Sequence, residues 1–198
     1  MTLPNNYSWS PVGQRVYVPY EAPQGQRVNA IGAYFSVSGR FVFETRARAP
    51  LPKSKKKRAE SPIPPLAAGL SVEELGVLDT ELFIGFVWES VAGRPRGAGA
   101  DWRREKPLLI VVDNYSVHVS RRVQEERVLW QAAAVHLFFL PFYSPELSAI
   151  EPVWQSVKHH QMQECSHETQ LCLKRAVDSA LRLKAQALVE AARARTVN

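Results

Sequence analysis

Apolar positions change their spacing several times along the 198-residue chain. Gln14 to Tyr20 is short and alternating, and Arg27 to Phe35 runs up to the turn Ser36-Val37-Ser38-Gly39. Arg40 to Thr45 then returns with Phe41, Val42 and Phe43, so the pattern predicts β structure in a hairpin or meander. Asp79 or Thr80 can cap a helix in which Leu82, Phe83, Phe86 and Val87 share a face, and Gly93 marks its stop. Leu108 to Val112 is five apolar residues without a break, ending at Asp113. Such a run predicts a central strand covered on both faces, with functional residues at its carboxyl end. A helix from about Ser120 to Ala134 follows, then a second apolar strand, Val135 to Leu140, stopped by Pro141. Strand, helix and strand at this spacing predict a right-handed parallel crossover. A further helix starts near Ser148 with Ile150, Val153, Trp154 and Val157 on one face. The last helix, over residues 168–198, is amphipathic through Leu173, Val177, Ala180, Leu181, Lys184 and Leu188.

Composition narrows the class. The chain is 45% hydrophobic and 22% charged, ordinary for a globular protein, and long enough for one domain with a substantial core. No apolar run approaches the ~20 residues of a membrane span. Met1 to Asn6 does not read as a secretory signal, so a cytoplasmic address is expected. The two cysteines, Cys165 and Cys172, read as free thiols in a reducing compartment. His159, His160 and His167 lie near them, but the spacing fits no standard zinc pattern.

The net charge of +6 points towards a polyanionic partner, and its distribution sharpens that hint. Arg46 to Arg58 holds seven Lys or Arg residues and no acid, and Pro50, Pro52, Pro62, Pro64 and Pro65 oppose regular structure. Residues 46–78 are therefore expected to form a basic, proline-rich loop. It is either a solvated loop or a flap that touches phosphates through Lys55, Lys56, Lys57 and Arg58.

Two carboxylates stand out. Asp113 closes an apolar strand, where it could hold a divalent metal or simply cap the following turn through its own side chain. Glu151 closes Ser148-Ala149-Ile150-Glu151, which reads as a capping box with Glu at N3. It also falls in a first helical turn, which would fix a functional carboxylate in place. Position alone leaves both pairs of readings open.

The wording around them is more specific. Val112-Asp113-Asn114 is followed by His118, then by Phe139-Leu140-Pro141-Phe142-Tyr143-Ser144-Pro145-Glu146-Leu147, then by Ile150-Glu151-Pro152-Val153-Trp154 and Lys158. This string resembles the DDE transposases of bacterial insertion sequences related to the mariner superfamily. Thirty-seven residues lie between Asp113 and Glu151, close to that family's interval. Departures are small, with Phe142 where Pro is common and Ser148 where Asn is common. Tyr7 to Arg15 also resembles the family's segment after its first catalytic Asp. The resemblance thus implies that the basic loop over residues 46–78 is inserted.

The resemblance implies an α/β, RNase H-like fold, a mixed sheet flanked by helices, over a single domain spanning residues 1–198. It implies Asp113 and Glu151 as catalytic residues and metal ligands, with Mg²⁺ or Mn²⁺, two ions in the complete family site. Asn114, His118 and Lys158 would orient the site or contact DNA, the partner being transposon ends bound by a homodimer near the nucleoid. No acid precedes Glu21, so the expectation is a partial domain lacking the family's first Asp and first strand. Glu44 is the chemical stand-in, although its place in the order is wrong. Two functions follow: metal-dependent DNA cleavage and strand transfer, or an inactive DNA-binding or dimerising remnant. The chain alone is expected not to cleave DNA efficiently.

Overall fold

The protein's computed structural model describes residue 12 and residues 27–48, 69–162, 167 and 169–196. The predicted strand Gln14 to Tyr20, the Tyr7 to Arg15 segment apart from Val12, Lys55 to Arg58 and Cys165 lie outside them. Among the described residues the fold is mixed α/β, with two small sheets and flanking helices. The chain divides into two compact units. One comprises Met1–Asn29, Thr45–Val77 and Gln155–Lys184; the other comprises Ala30–Glu44, Leu78–Trp154 and Ala185–Asn198.

Strands β1 (Arg27–Tyr34) and β2 (Phe41–Arg48) form the predicted hairpin. The Phe35 amide donates to the Arg40 carbonyl at 2.8 Å across the turn. Gly39 closes it at φ +70°, and a Cβ there would lie 2.3 Å from the Leu188 carbonyl oxygen. Both the backbone conformation and the close approach require glycine. Strand β2 continues through Arg48, so Arg46 and Arg48 lie in the sheet rather than in the basic loop.

The second unit is built on β3 (Leu108–Val112) and β4 (Val135–Phe139), paired in parallel with Leu108 opposite Val135 and Val112 opposite Phe139. Between them runs α2 (Arg121–Ala132), whose N-cap Ser120 accepts the Val123 amide. An earlier helix, α1 (Thr80–Phe86), is capped by Asp79, whose carboxylate accepts the Leu82 amide at 2.9 Å. It continues into a π turn over Val87–Val91 before Gly93 at φ +73° ends it.

Burial within this unit is one-sided. Phe83, Ile84 and Val87 pack with Val123, Trp130 and Val135, and Leu108, Ile110, Val112 and Leu137 face that cluster. Leu109, Val111 and Phe138 are exposed, so among the described residues the expected cover on both faces of β3 is not observed. An unbroken apolar run carries no period and cannot tell one-sided from two-sided burial. Helix α2 is largely polar and buries only Val123, Glu126 and Trp130, spaced on one stripe. Glu126 is held by the Trp88 indole N–H at 2.7 Å and the Arg122 guanidinium at 2.6 Å, so the buried charge is paired.

In the first unit, Ser71 and Glu74 form a reciprocal capping box around the 3₁₀ turn Val72–Glu74. The Ser71 amide donates to the Glu74 carboxylate at 2.9 Å, and the Ser71 hydroxyl accepts the Glu74 amide at 3.3 Å. Buried Lys174 bridges Glu74 at 3.4 Å and Asp178 at 2.7 Å. Both Lys174 and Asp178 lie on the long helix α4 (Gln170–Thr196), where Leu173, Val177, Ala180 and Leu181 are buried as predicted. Among the described residues no helix is long and apolar enough to cross a membrane.

Two predictions follow from this packing. Trp130 is fully buried, yet its indole N–H has no hydrogen-bond partner among the described residues. Trp130→Ala should cost about 3–5 kcal/mol in urea unfolding. Trp130→Phe should cost far less, because it removes the unpartnered donor while keeping most of the ring. Equal losses for the two would contradict this packing. Glu74 has its pKa lowered from the usual 4.5, first by the Ser71 amide and then by the Lys174 ammonium. A carboxylate depressed in the folded state stabilises above its unfolded pKa, and that contribution is lost as pH falls through the folded value. The melting temperature of the wild type should exceed that of Glu74→Gln near neutrality. The gap should close as pH drops below 4.5.

Candidate active site

The end of β3 sets Asp113 at the mouth of a cleft. Its Oδ1 accepts the Tyr115 amide at 3.0 Å, so Asp113 does cap its own turn as one sequence reading allowed. The same oxygen faces His118 Nδ1 at 2.8 Å, and the Asp113 carbonyl lies 3.3 Å from that nitrogen. Both partners can only accept, so the ring proton belongs on Nδ1. His118 is held in turn by Phe83, whose ring centre lies 4.5 Å away, and by Tyr115 at 5.9 Å. The Asp113 side chain remains 63% exposed against 20% for His118. Its Oδ2 has no hydrogen-bond partner among the described residues.

Asn114 does something the sequence did not reveal. Its Nδ2 donates to the Leu140 carbonyl at 2.7 Å, and the Leu140 amide donates to the Val112 carbonyl at 2.8 Å. These bonds tie the ends of the two parallel strands together. They fix where the loop Pro141-Phe142-Tyr143-Ser144-Pro145 leaves β4 relative to Asp113.

That loop leads into a 3₁₀ turn, Pro145–Leu147, and then to α3 (Glu151–Ser156). The helix expected from Ser148 therefore begins at Glu151. Ser148 closes the preceding turn with its amide on the Pro145 carbonyl at 3.0 Å, and its own carbonyl accepts the Glu151 amide at 3.1 Å. Its backbone is extended, at φ −91° and ψ 107°. Being occupied in closing that turn, Ser148 forms no side-chain capping box with Glu151 among the described residues. The Glu151 carboxylate is not spent on a helix end.

Asp113 and Glu151 line one cleft of about 280 Å³ with Asn114, Tyr115, Leu140, Pro141, Phe142, Tyr143, Ser144, Pro145 and Ser148. Two carboxylates in one cleft suit Mg²⁺. That ion is held by one or two carboxylates, keeping waters and substrate phosphates for its other positions. Among the described residues no cluster of three or more His, Cys, Asp or Glu side chains gathers. Glu44 lies in β2, accepts the Ser90 hydroxyl at 3.5 Å and is not among the cleft's lining residues. His118 supports Asp113 from behind the cleft. Lys158 is exposed in the π turn Val157–Gln161 that follows α3. Sequence reasoning missed Tyr115, Phe142 and Tyr143 as lining residues. An aromatic pair between two prolines was the available signal.

The family model described as DDE superfamily endonuclease matches residues 71–174, more than half of the chain and the whole of this cleft. The chain belongs to the DDE superfamily endonucleases. The motif resemblance read around Asp113 and Glu151 is thereby borne out. The chain is also similar to the insertion element IS630 uncharacterized 39 kDa protein of Shigella sonnei, with 34% identity over 80 residues. That match takes in 38% of this chain and 22% of the relative, so the chain spans about a fifth of the curated relative's length. No solved structure matches the chain.

The Asn114 clamp is directly testable. Asn114→Ala should lower stability by about 1 kcal/mol in urea unfolding, the net worth of one hydrogen bond. Asn114→Asp should cost more, because it aims a second acceptor at the Leu140 carbonyl. An aspartate variant as stable as wild type would show that the clamp contributes nothing.

Proposed function

We propose that this chain is part of an insertion-sequence transposase of RNase H-like fold, and that it acts on the phosphodiester backbone of transposon ends. Asp113 and Glu151 are the residues that hold its divalent metal. The observation that carries the reading is their convergence on one cleft from segments 37 residues apart, with carboxylate oxygens left unengaged. The oxygen chemistry of the pair matches Mg²⁺ or Mn²⁺, and such a metal would activate an attacking hydroxyl and stabilise a leaving oxygen.

The chain's own residues do the positioning. His118 holds one oxygen of Asp113, which leaves the other for the metal. Asn114 keeps the strand ends in register, which fixes the distance from Asp113 to the loop that carries Glu151. Lys158 and the run Lys55, Lys56, Lys57 and Arg58 supply positive charge for the DNA backbone, in keeping with the net charge of +6.

One observation favours a second reading, a remnant that binds DNA or its own copies without cutting. Among the described residues the cleft carries two carboxylates, where the family's full set has three. Nicking of supercoiled plasmid by the full chain separates the two. Given the expectation from sequence that the chain alone cuts inefficiently, the transposase reading expects slow nicking that requires Mg²⁺ or Mn²⁺ and falls at least about 100-fold in Asp113→Ala and Glu151→Ala. Salt-sensitive DNA retention with no metal-dependent product supports the remnant. Nicking that persists in both variants contradicts the assignment of the cleft.

A further inference from the structure

The lip of the cleft carries two aromatic side chains that the metal reading leaves without a role. Phe142 is 75% exposed and Tyr143 is 99% exposed, although both sit beside the carboxylate pair. Tyr115, 60% exposed, lines the same cleft. Tyr143 adopts φ +57°, a left-handed conformation uncommon for any residue with a side chain of this size. Its backbone is therefore held away from its own preference, and the effect is to project the phenol ring into solvent. The anchors are the prolines on either side, the Asn114 clamp on Leu140, and the Ser144 hydroxyl donating to the Phe142 carbonyl at 3.3 Å. Strained backbone of this kind concentrates at ligand clamps and active sites.

We infer that Phe142 and Tyr143 form a stacking lip for an unstacked nucleobase next to the phosphate that enters the cleft. The proposal rests on reading the cleft as a DNA-processing site, and adds the ligand class that its rim takes. Every base offers a π face, so such a lip grips a strand without reading its sequence. The carboxylates repel bare phosphate, and an aromatic rim gives the strand an attraction beside them that does not depend on charge. Phe142 brings a wholly apolar ring, whereas Tyr143 brings a ring whose hydroxyl stays in water.

The test uses the full chain and a single-stranded thymidine oligonucleotide carrying one 2-aminopurine, with Ca²⁺ present to permit binding without cleavage. Stacking quenches 2-aminopurine, so wild type should quench it on binding. Tyr143→Asn removes the ring while suiting the left-handed backbone. It should remain at least as stable as wild type and bind about tenfold more weakly, with quenching reduced. Phe142→Ala should lose a similar factor, and Tyr143→Phe should bind like wild type. If Tyr143→Asn and Phe142→Ala bind and quench as wild type does, the lip is overturned while the DNA reading stands. If wild type fails to bind the oligonucleotide at all, both fall. Should the two variants instead change only the sedimentation of the free protein, the rings serve contact between copies, and the nucleobase assignment is wrong.

Discussion

Parallel pairing of β3 with β4 brings two chain segments to the same edge, and the site depends on that edge staying in register. Val112 lies opposite Phe139, the Leu140 amide continues the ladder onto the Val112 carbonyl, and Asn114 adds a side-chain bond to Leu140. A slip of one residue would turn the inward set of Leu108, Ile110 and Val112 towards water. It would also carry Asp113 away from the loop that leads to Glu151. β3 is apolar on both faces, so the pattern of the strand does not enforce the register; the ladder with β4 and the Asn114 bond to Leu140 hold it.

On this frame the carboxylates are treated differently. Asp113 is engaged on one side by Tyr115 and His118, with His118 packed against the rings of Phe83 and Tyr115. Glu151 is presented at a helix start, where its amide donates to the Ser148 carbonyl. One acid is therefore oriented by hydrogen bonds and the other by backbone geometry alone. A divalent metal suits such a pair, since oxygen ligands and partial hydration tolerate one fixed and one adjustable carboxylate.

The elements were legible where the sequence pattern was local. The strand Leu108 to Val112, the cap at Asp79 and the crossover through α2 follow from apolar runs, turn residues and lengths. The motif wording named Asp113, Asn114 and Glu151, which line one cleft, and His118, which bonds Asp113; their roles in chemistry are proposals. What stayed hidden depended on partners far along the chain. Ser71-Val72-Glu73-Glu74 and Ser148-Ala149-Ile150-Glu151 carry the same capping pattern, yet only the first forms the reciprocal box. Ser148 is already committed to closing the turn after Pro145, a fact no four-residue pattern contains. Likewise, Asn114 reaches a carbonyl 26 residues away, so its clamp could not be read from spacing. One-sided burial of β3 escaped for a simpler reason, since an all-apolar run has no polar position to mark its wet face.

Paramagnetic broadening of backbone amide resonances by substoichiometric Mn²⁺, on the isotope-labelled full chain, tests the central claim most directly. If Asp113 and Glu151 hold the metal together, the amides of Asp113, Asn114, Tyr115 and Glu151 should broaden first, and Asp113→Ala should abolish the effect. Broadening centred on His159 and His160, or spread evenly over the acidic surface, would contradict it.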